Sequence, residues 1–431
     1  MKKVFLVSLG CPKNRVDSEK TLGALKRAGL RIVTDESQAD IIITNTCGFV
    51  ADAKEESVDT ILEMAQIKKD NPNVKLAVMG CLSERYRDEL KANIPEIDHL
   101  YGTAELETII ADLAPEKAHA AADPDTGSRI ITTSRHWAYL KIAEGCSNKC
   151  TFCVIPSIRG PYKSVDMEPV VAEAANLAAR GVKELVVVAQ DTTLYGADLK
   201  MKNGLASLLR KLAQIDGIQW IRTMYMYPAL INDGLLDVFA GEGKVVPYFD
   251  IPLQHASNRI LKSMGRPETN SSIRTLLENI RAKVPGAAIR TSFITGFPGE
   301  RDEDFNELLR LVEDARFDHM GAFTYSPEEG TPAIDMEEAV DPEAAAERLE
   351  ILMQAQAEIS AGTLNGKVGK VYEILVDDPK PEEPLLTGRL ATQAPEIDGC
   401  VILDGVEAEP GTFIKTLITQ SSEYDLVGVA A

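Results

Sequence analysis

The chain begins with short apolar runs alternating with amphipathic stretches. Segments 3–9, 41–44 and 75–79 are compact and rich in Val, Ile and Leu, the pattern of parallel strands buried on both faces. Helical periodicity fills the intervals: 17–27, closed by Gly29, and 51–69, ended near Pro72. Alternating β and α signals over residues 1–115 predict an open, parallel, doubly wound sheet. The pattern lapses over 116–134, which reads as a linker. It resumes as six strand-like runs at 138–143, 184–189, 219–226, 248–253, 288–294 and 319–325. The first five are each followed by a stretch long enough for a helix, so residues 135–364 predict a partial, open (βα)6 version of the eight-fold barrel. After a helical stretch at 342–363, five short runs at 370–376, 385–390, 400–403, 413–418 and 425–429 are separated by Gly, Pro and Asp turns. Residues 365–431 therefore predict a small antiparallel barrel of OB-like size.

Composition narrows the functional classes. A chain of 431 residues with 45% hydrophobic and 26% charged residues has the make-up of a folded protein, and no apolar run approaches the roughly 18–20 residues of a membrane span. The apolar amino terminus leads into Cys11-Pro12-Lys13-Asn14 rather than a small-residue cleavage site, so it predicts a first strand and a cytoplasmic protein. Lys plus Arg total 46 against 66 acids, a net charge of −20. Polyphosphate partners bind through cations, so this balance favours a basic protein or a small molecule as partner. Seven cysteines are too few for a disulfide scaffold.

Three of those cysteines crowd together in Glu144-Gly145-Cys146-Ser147-Asn148-Lys149-Cys150-Thr151-Phe152-Cys153, just past the first strand of the predicted barrel. Catalytic groups of such barrels sit at that end of the strands. Zinc sites usually take four ligands with paired C-x2-C spacing. Three thiols without a nearby His suit a [4Fe–4S] cluster in which one iron stays open to another ligand.

The other set is dispersed. Cys11, Cys47 and Cys81 are separated by 36 and 34 residues, about one βαβ unit each, and each follows a predicted strand. In an open parallel sheet those strand ends share one edge, where ligands bind, so the three thiols can converge. Three inert buried cysteines would have the same spacing. Cys400 falls in a barrel strand and reads as core filler.

C-x3-C-x2-C with an aromatic residue before the last Cys resembles the signature of radical S-adenosylmethionine (SAM) enzymes. Leu9-Gly10-Cys11-Pro12-Lys13-Asn14, Thr46-Cys47-Gly48-Phe49 and Gly80-Cys81-Leu82 resemble the three cysteine motifs of one branch, the methylthiotransferases. The resemblance runs over essentially the whole chain. It implies an amino-terminal domain with a first [4Fe–4S] cluster on Cys11, Cys47 and Cys81. It also implies a radical-SAM domain with a second, SAM-binding cluster on Cys146, Cys150 and Cys153, and a carboxy-terminal TRAM barrel. The implied chemistry is radical abstraction of hydrogen from the substrate carbon and coupling of that carbon to a methylthio group, with electrons from a donor such as flavodoxin or ferredoxin. By the same resemblance, Gln190, Asp191, Gln254 and His255, at the ends of predicted strands, become SAM contacts, and Arg159 a partner for the SAM carboxylate or a substrate acid. Structural readings compete: a cap for Gln190-Asp191, a satisfied polar residue for His255, a surface ion pair for Arg159.

Members of the family modify either an adenosine in tRNA or an aspartate of ribosomal protein uS12. Ile155-Pro156-Ser157-Ile158-Arg159-Gly160-Pro161-Tyr162, Met264-Gly265-Arg266-Pro267 and the acidic pair in Ser326-Pro327-Glu328-Glu329-Gly330 resemble the uS12 branch. Charge agrees: from residue 364 to the end there are five Lys plus Arg against twelve acids, a net −7. That balance is unsuited to nucleic acid and suited to a basic ribosomal protein. The expected product is 3-methylthioaspartate in uS12. The alternatives are a tRNA adenosine methylthiotransferase and a non-catalytic iron–sulfur scaffold or sensor.

Overall fold

The computed structural model describes residues 1–115, 129–379 and 385–431. Most of the expected linker, at 116–128, lies outside them, as do Lys380, Glu382 and Glu383 of the charge count. The chain divides into two compact units. One comprises residues 1–132, 144–148 and 153–163, and the other residues 133–143, 149–152 and 164–431.

The first unit is built on a five-stranded, wholly parallel sheet in the order Arg31–Ile32, Lys3–Ser8, Ile41–Thr46, Lys75–Gly80, His99–Leu100. Ile41–Thr46 is buried at every position, as a central strand covered on both faces requires. Apolar clusters fill both faces, one around Leu25, Ile41, Ile43 and Ile110, the other around Ile42, Ile61, Leu76 and Val78. The first helix runs Pro12–Arg27, five residues longer at its start than the periodicity indicates. Cys11 is extended at the N-cap and Pro12 takes the first turn, where its missing N–H costs nothing.

The second unit carries six parallel strands in the order His319–Thr324, Ala288–Thr295, Val245–Asp250, Trp220–Thr223, Glu184–Val188, Trp137–Lys141. The order simply reverses the sequence and the sheet stays open, as a partial barrel should. The third strand stops at Thr223, short of the expected Met226, because Tyr225 adopts φ +58°. The fourth stops at Asp250, and Gln254 follows at φ +72°. Two non-glycine residues in the left-handed region just past adjacent strands mark strained backbone at that edge.

The carboxy-terminal strands close into a barrel in the order Val371–Val376, Thr387–Arg389, Val401–Leu403, Leu426–Ala430, Phe413–Ser421. All its pairings are antiparallel except Val401–Leu403 with Leu426–Ala430, which is parallel. This barrel packs on the starting ends of the six strands. Trp220 meets Phe413 edge-on at 5.0 Å, and Trp220, Val246, Tyr248 and Ala288 share a cluster with Leu375 and Ala394. Glu184 accepts from Arg222 at 2.8 Å and from Arg389 at 2.7 Å, and Arg389 also grips Asp377. Asp377 and Asp398 are thus spent internally, whereas Asp404, Glu407, Glu409 and Glu423 are exposed. Cys400 precedes its strand by one residue and is partly exposed rather than core. Among the described residues no helix is long and apolar enough to cross a membrane.

Candidate metal and cofactor site

The parallel sheet of the first unit gathers Cys11, Cys47 and Cys81 at the carboxyl edge of its strands. Cys11 starts the helix Pro12–Arg27, Cys47 follows Ile41–Thr46 directly, and Cys81 opens a short helix after Lys75–Gly80. Their closeness shows in the glycines beside them. A Cβ on Gly10 would lie 2.8 Å from Cys47 Cβ and 3.2 Å from Cys47 Sγ, and one on Gly48 would lie 2.9 Å from the Cys81 carbonyl oxygen. Gly80, at φ +104°, passes the Asn45 side chain so closely that any Cβ would strike it.

Polar groups hold the three loops. Asn14 is wholly buried; its Nδ2 donates to the carbonyls of Leu9 and Thr46, which fixes its Oδ1 toward Cys81 Sγ at 3.6 Å. Asn45 Nδ2 donates to Asn14 O and Ser18 Oγ, both at 2.9 Å. Ser57 Oγ accepts from Cys47 N and donates to Cys47 O.

The thiols differ in acidity. Burial raises the Cys11 thiol, but Lys13, Arg159 and the amides of Asn14 and Lys13 outweigh it and leave it below the usual thiol value. Burial dominates at Cys47, which is raised, and at Cys81, pushed up to about 11 despite Arg159. The Cys11 thiolate also disfavours ionisation of Cys47, and both disfavour that of Cys81. Three thiols, two of them buried, with a shared cation form a donor set for a cationic, thiolate-ligated group. Among the described residues no three His, Cys, Asp or Glu side chains are grouped around one metal ion. A cubane asks for something wider, since each thiolate binds a different iron, and the glycine-lined edge fits it.

The C-x3-C-x2-C loop is divided along the chain, Cys146 and Cys153 being counted with the first unit and Cys150 with the second. In the first, Cys146 is buried and its N–H donates to Gly160 O at 3.1 Å. In the second, residues 149–152 are stapled to the segment after the fourth strand. Thr151 N donates to Met264 O, Thr151 Oγ1 donates to Ser263 O at 2.8 Å, and a Cβ on Gly265 would collide with Lys149 O. Arg266 Nη1 lies 3.8 Å from Cys150 Sγ, its guanidinium covers the Tyr227 ring at 4.0 Å, and Nη2 donates to Pro252 O.

The other expected site residues occupy varied settings. Asp191 is buried after its strand and accepts from Thr193 Oγ1 and Leu194 N, closing a turn. Gln190 precedes it, and Gln254 holds its left-handed conformation between Ser292 O and Ile294 N. His255 is fully buried. Its Nδ1 accepts from Ser257 N, its Nε2 stands 3.9 Å from Glu300 Oε2, and burial drives its pKa down to about 3. Arg159 is no surface residue: its side chain is 1% exposed, and it bonds to Cys81, Asn14, Asp17 and Glu144. Sequence reasoning passed over Asn14 and Arg266 as site residues, although both stand inside quoted motifs.

Three family descriptions match the chain in succession: "Uncharacterized protein family UPF0004" over residues 3–102, "Radical SAM superfamily" over 140–312 and "TRAM domain" over 368–430. A curated relative from Anaeromyxobacter sp. (strain Fw109-5), ribosomal protein uS12 methylthiotransferase RimO, is 48% identical over 99% of this chain and 92% of its own length. A relative of the same name from Geobacter sulfurreducens is 46% identical over 99% and 98%. Among solved structures, the radical SAM methyltransferase TsrM from Kitasatospora setae is similar with a TM-score of 0.56 at 14% identity, covering 77% of each chain, a likeness of fold.

Proposed function

The chain belongs to the ribosomal protein uS12 methylthiotransferase family, and from that membership we propose that it attaches a methylthio group to Cβ of an aspartate of uS12 in the cytoplasm. The observation that carries this reading is a likeness spanning 99% of the chain, through all three matched segments. Cys11, Cys47 and Cys81 hold one [4Fe–4S] cluster, and Cys146, Cys150 and Cys153 hold a second. When bound, such a cluster with one open iron supplies a coordination site and an electron, and the radical chemistry belongs to it and SAM rather than to the protein.

The protein's own residues bind and orient. Cys47 and Cys81 are buried and Cys11 is partly so, which limits the access of water to these sulfurs. The turn closed by Asp191, with Gln190 before it, and the left-handed Gln254 present polar groups to SAM at the carboxyl ends of the strands, where ligands of such folds bind. His255, its Nδ1 engaged and its ring enclosed, acts by holding the Gln254 loop. The exposed acids of the barrel offer complementary charge to a basic protein, and a low-potential donor such as flavodoxin or ferredoxin supplies electrons.

Intact-mass measurement of uS12 from cells with and without the gene tests the reading. One methylthio group present only with the gene is expected. Unmodified uS12 in both overturns it, and modification of tRNA instead transfers the chain to the other branch.

A further inference from the structure

Arg159 carries more than a fold requires. It stands six residues beyond Cys153 at the end of the helix Ile155–Arg159, yet its guanidinium is buried against the other cysteine set. Nε donates to Cys81 Sγ at 3.4 Å, Nη1 donates to Asp17 at 3.0 Å and Glu144 at 2.9 Å, and Nη2 donates to Asn14 Oδ1. Asn14 Oδ1 is the atom that also faces Cys81 Sγ. The same helix packs Val154 and Ile158 against Cys81 and Phe49. Three thiolates on one buried group bring negative charge into a place where an uncompensated charge is costly. Arg159 sets a cation directly on one of those sulfurs, that of Cys81.

We infer that Arg159 is a positioning and charge-tuning residue for the group held by Cys11, Cys47 and Cys81, not a contact for SAM. The inference rests on the proposed reading, that these three thiols hold a cluster. A guanidinium bonded to a ligating sulfur stabilises the more negative, reduced state and raises the reduction potential, since hydrogen bonds to sulfur and net charge set that potential. Arginine is needed because its fork meets Cys81, Asn14 and two carboxylates at once, which an ammonium cannot. The arrangement also ties the segment after Cys153 to Cys81. A change of register in one loop therefore reaches the sulfur of the other.

The full chain carrying C146A, C150A and C153A isolates the first cluster. In that background, R159Q and R159K are compared with the parent by iron analysis and by potentiometric titration followed by electron paramagnetic resonance. Four irons per chain are expected in all three, with the midpoint potential falling for R159Q and less for R159K, and with altered resonance anisotropy. An unchanged potential in R159Q overturns the inference. Absence of iron from the parent itself overturns instead the reading on which it rests. If R159Q loses its iron, R159K decides: a lowered potential with iron retained supports tuning, and a parental potential overturns it. In the complementary C11A, C47A, C81A background, R159Q is expected to leave reductive SAM cleavage unchanged, and its loss there would place Arg159 at SAM.

Discussion

The two cysteine sets reach their arrangements by opposite routes. Cys11, Cys47 and Cys81 are scattered over 70 residues and meet only because two parallel strand pairings align three strand ends. Their loops are held by Asn14, Asn45, Ser57 and Arg159, each from a different element. Cys146, Cys150 and Cys153 lie within eight residues and need one loop. The first set is a product of topology and the second of local sequence. Damage far from a thiol should therefore disable the first set and spare the second.

The largest effects come from the thiols themselves. C150A should remove about four of about eight irons, abolish reductive cleavage of SAM and leave uS12 unmodified. C47A should also remove about four irons and abolish modification, yet keep SAM cleavage near the parental rate. Iron content, 5′-deoxyadenosine release and uS12 mass check both. If C47A loses SAM cleavage as completely as C150A, the two sets are not independent and the comparison fails.

Next comes damage at a distance. Gly80 has φ +104° and ψ −156°, a region only glycine occupies without strain, and a Cβ there meets Asn45 Oδ1 and the Thr46 backbone. G80A should cost roughly 3 kcal/mol or more of stability, seen as an early denaturation step. It should empty the first set of iron while the loop set stays loaded.

The same contrast explains what could be read from sequence. Strands such as Ile41–Thr46 were legible because apolar runs announce them. The loop cysteines were legible because three thiols in eight residues are rarely accidental. That Cys11, Cys47 and Cys81 could share one edge was legible from their places after three parallel strands, but inert cysteines would have had the same spacing, and the motif resemblance chose between the two. The role of Arg159 was not legible, because it depends on a side chain crossing to Cys81 from a point 78 residues along the chain, and no local pattern encodes that. Tyr225 and Gln254 were hidden likewise: their positive φ values come from the packing of strand ends, and neither residue type advertises them. His255 lies five residues beyond the strand end at Asp250 rather than at it, and the charges around its buried ring come partly from Glu300, Asp304 and Arg348, remote in sequence.

Acid offers a graded test. His255 belongs to the second unit and is kept neutral by burial, with Arg259 and Arg348 opposing its protonation and Asp304 favouring it. Its folded pKa of about 3 lies below the unfolded value of 6.5, so only the unfolded chain binds the proton between those values. Stability should fall by about 1.4 kcal/mol for each pH unit below about 6.5, down to about pH 3. In H255N, whose amide oxygen can replace Nδ1 as acceptor for Ser257 N, that part of the slope should vanish. Denaturation monitored from pH 7 to 4 checks this, and an equally steep slope in H255N would show that other groups dominate.

The smallest effect sharpens the comparison most, because it asks whether the loop set also has an arginine of its own. Arg266 approaches Cys150 Sγ at 3.8 Å, pairs with Glu268 at 3.2 Å, donates to Pro252 O and lies flat on Tyr227. Its charge falls on a sulfur whose neighbours Lys149 and Thr151 are pinned to the segment Arg266 belongs to. Lysine keeps the charge but cannot stack and fork together. The stacking component alone is worth about 0.5–2 kcal/mol, so R266K should retain all of its iron and slow reductive SAM cleavage about fivefold. R159K, by contrast, should leave that rate untouched. Release of 5′-deoxyadenosine from both variants, measured side by side, gives the answer. Equal rates would mean that the two arginines serve a common centre, and a slow R159K with a normal R266K would reverse the assignment of each to its cysteine set.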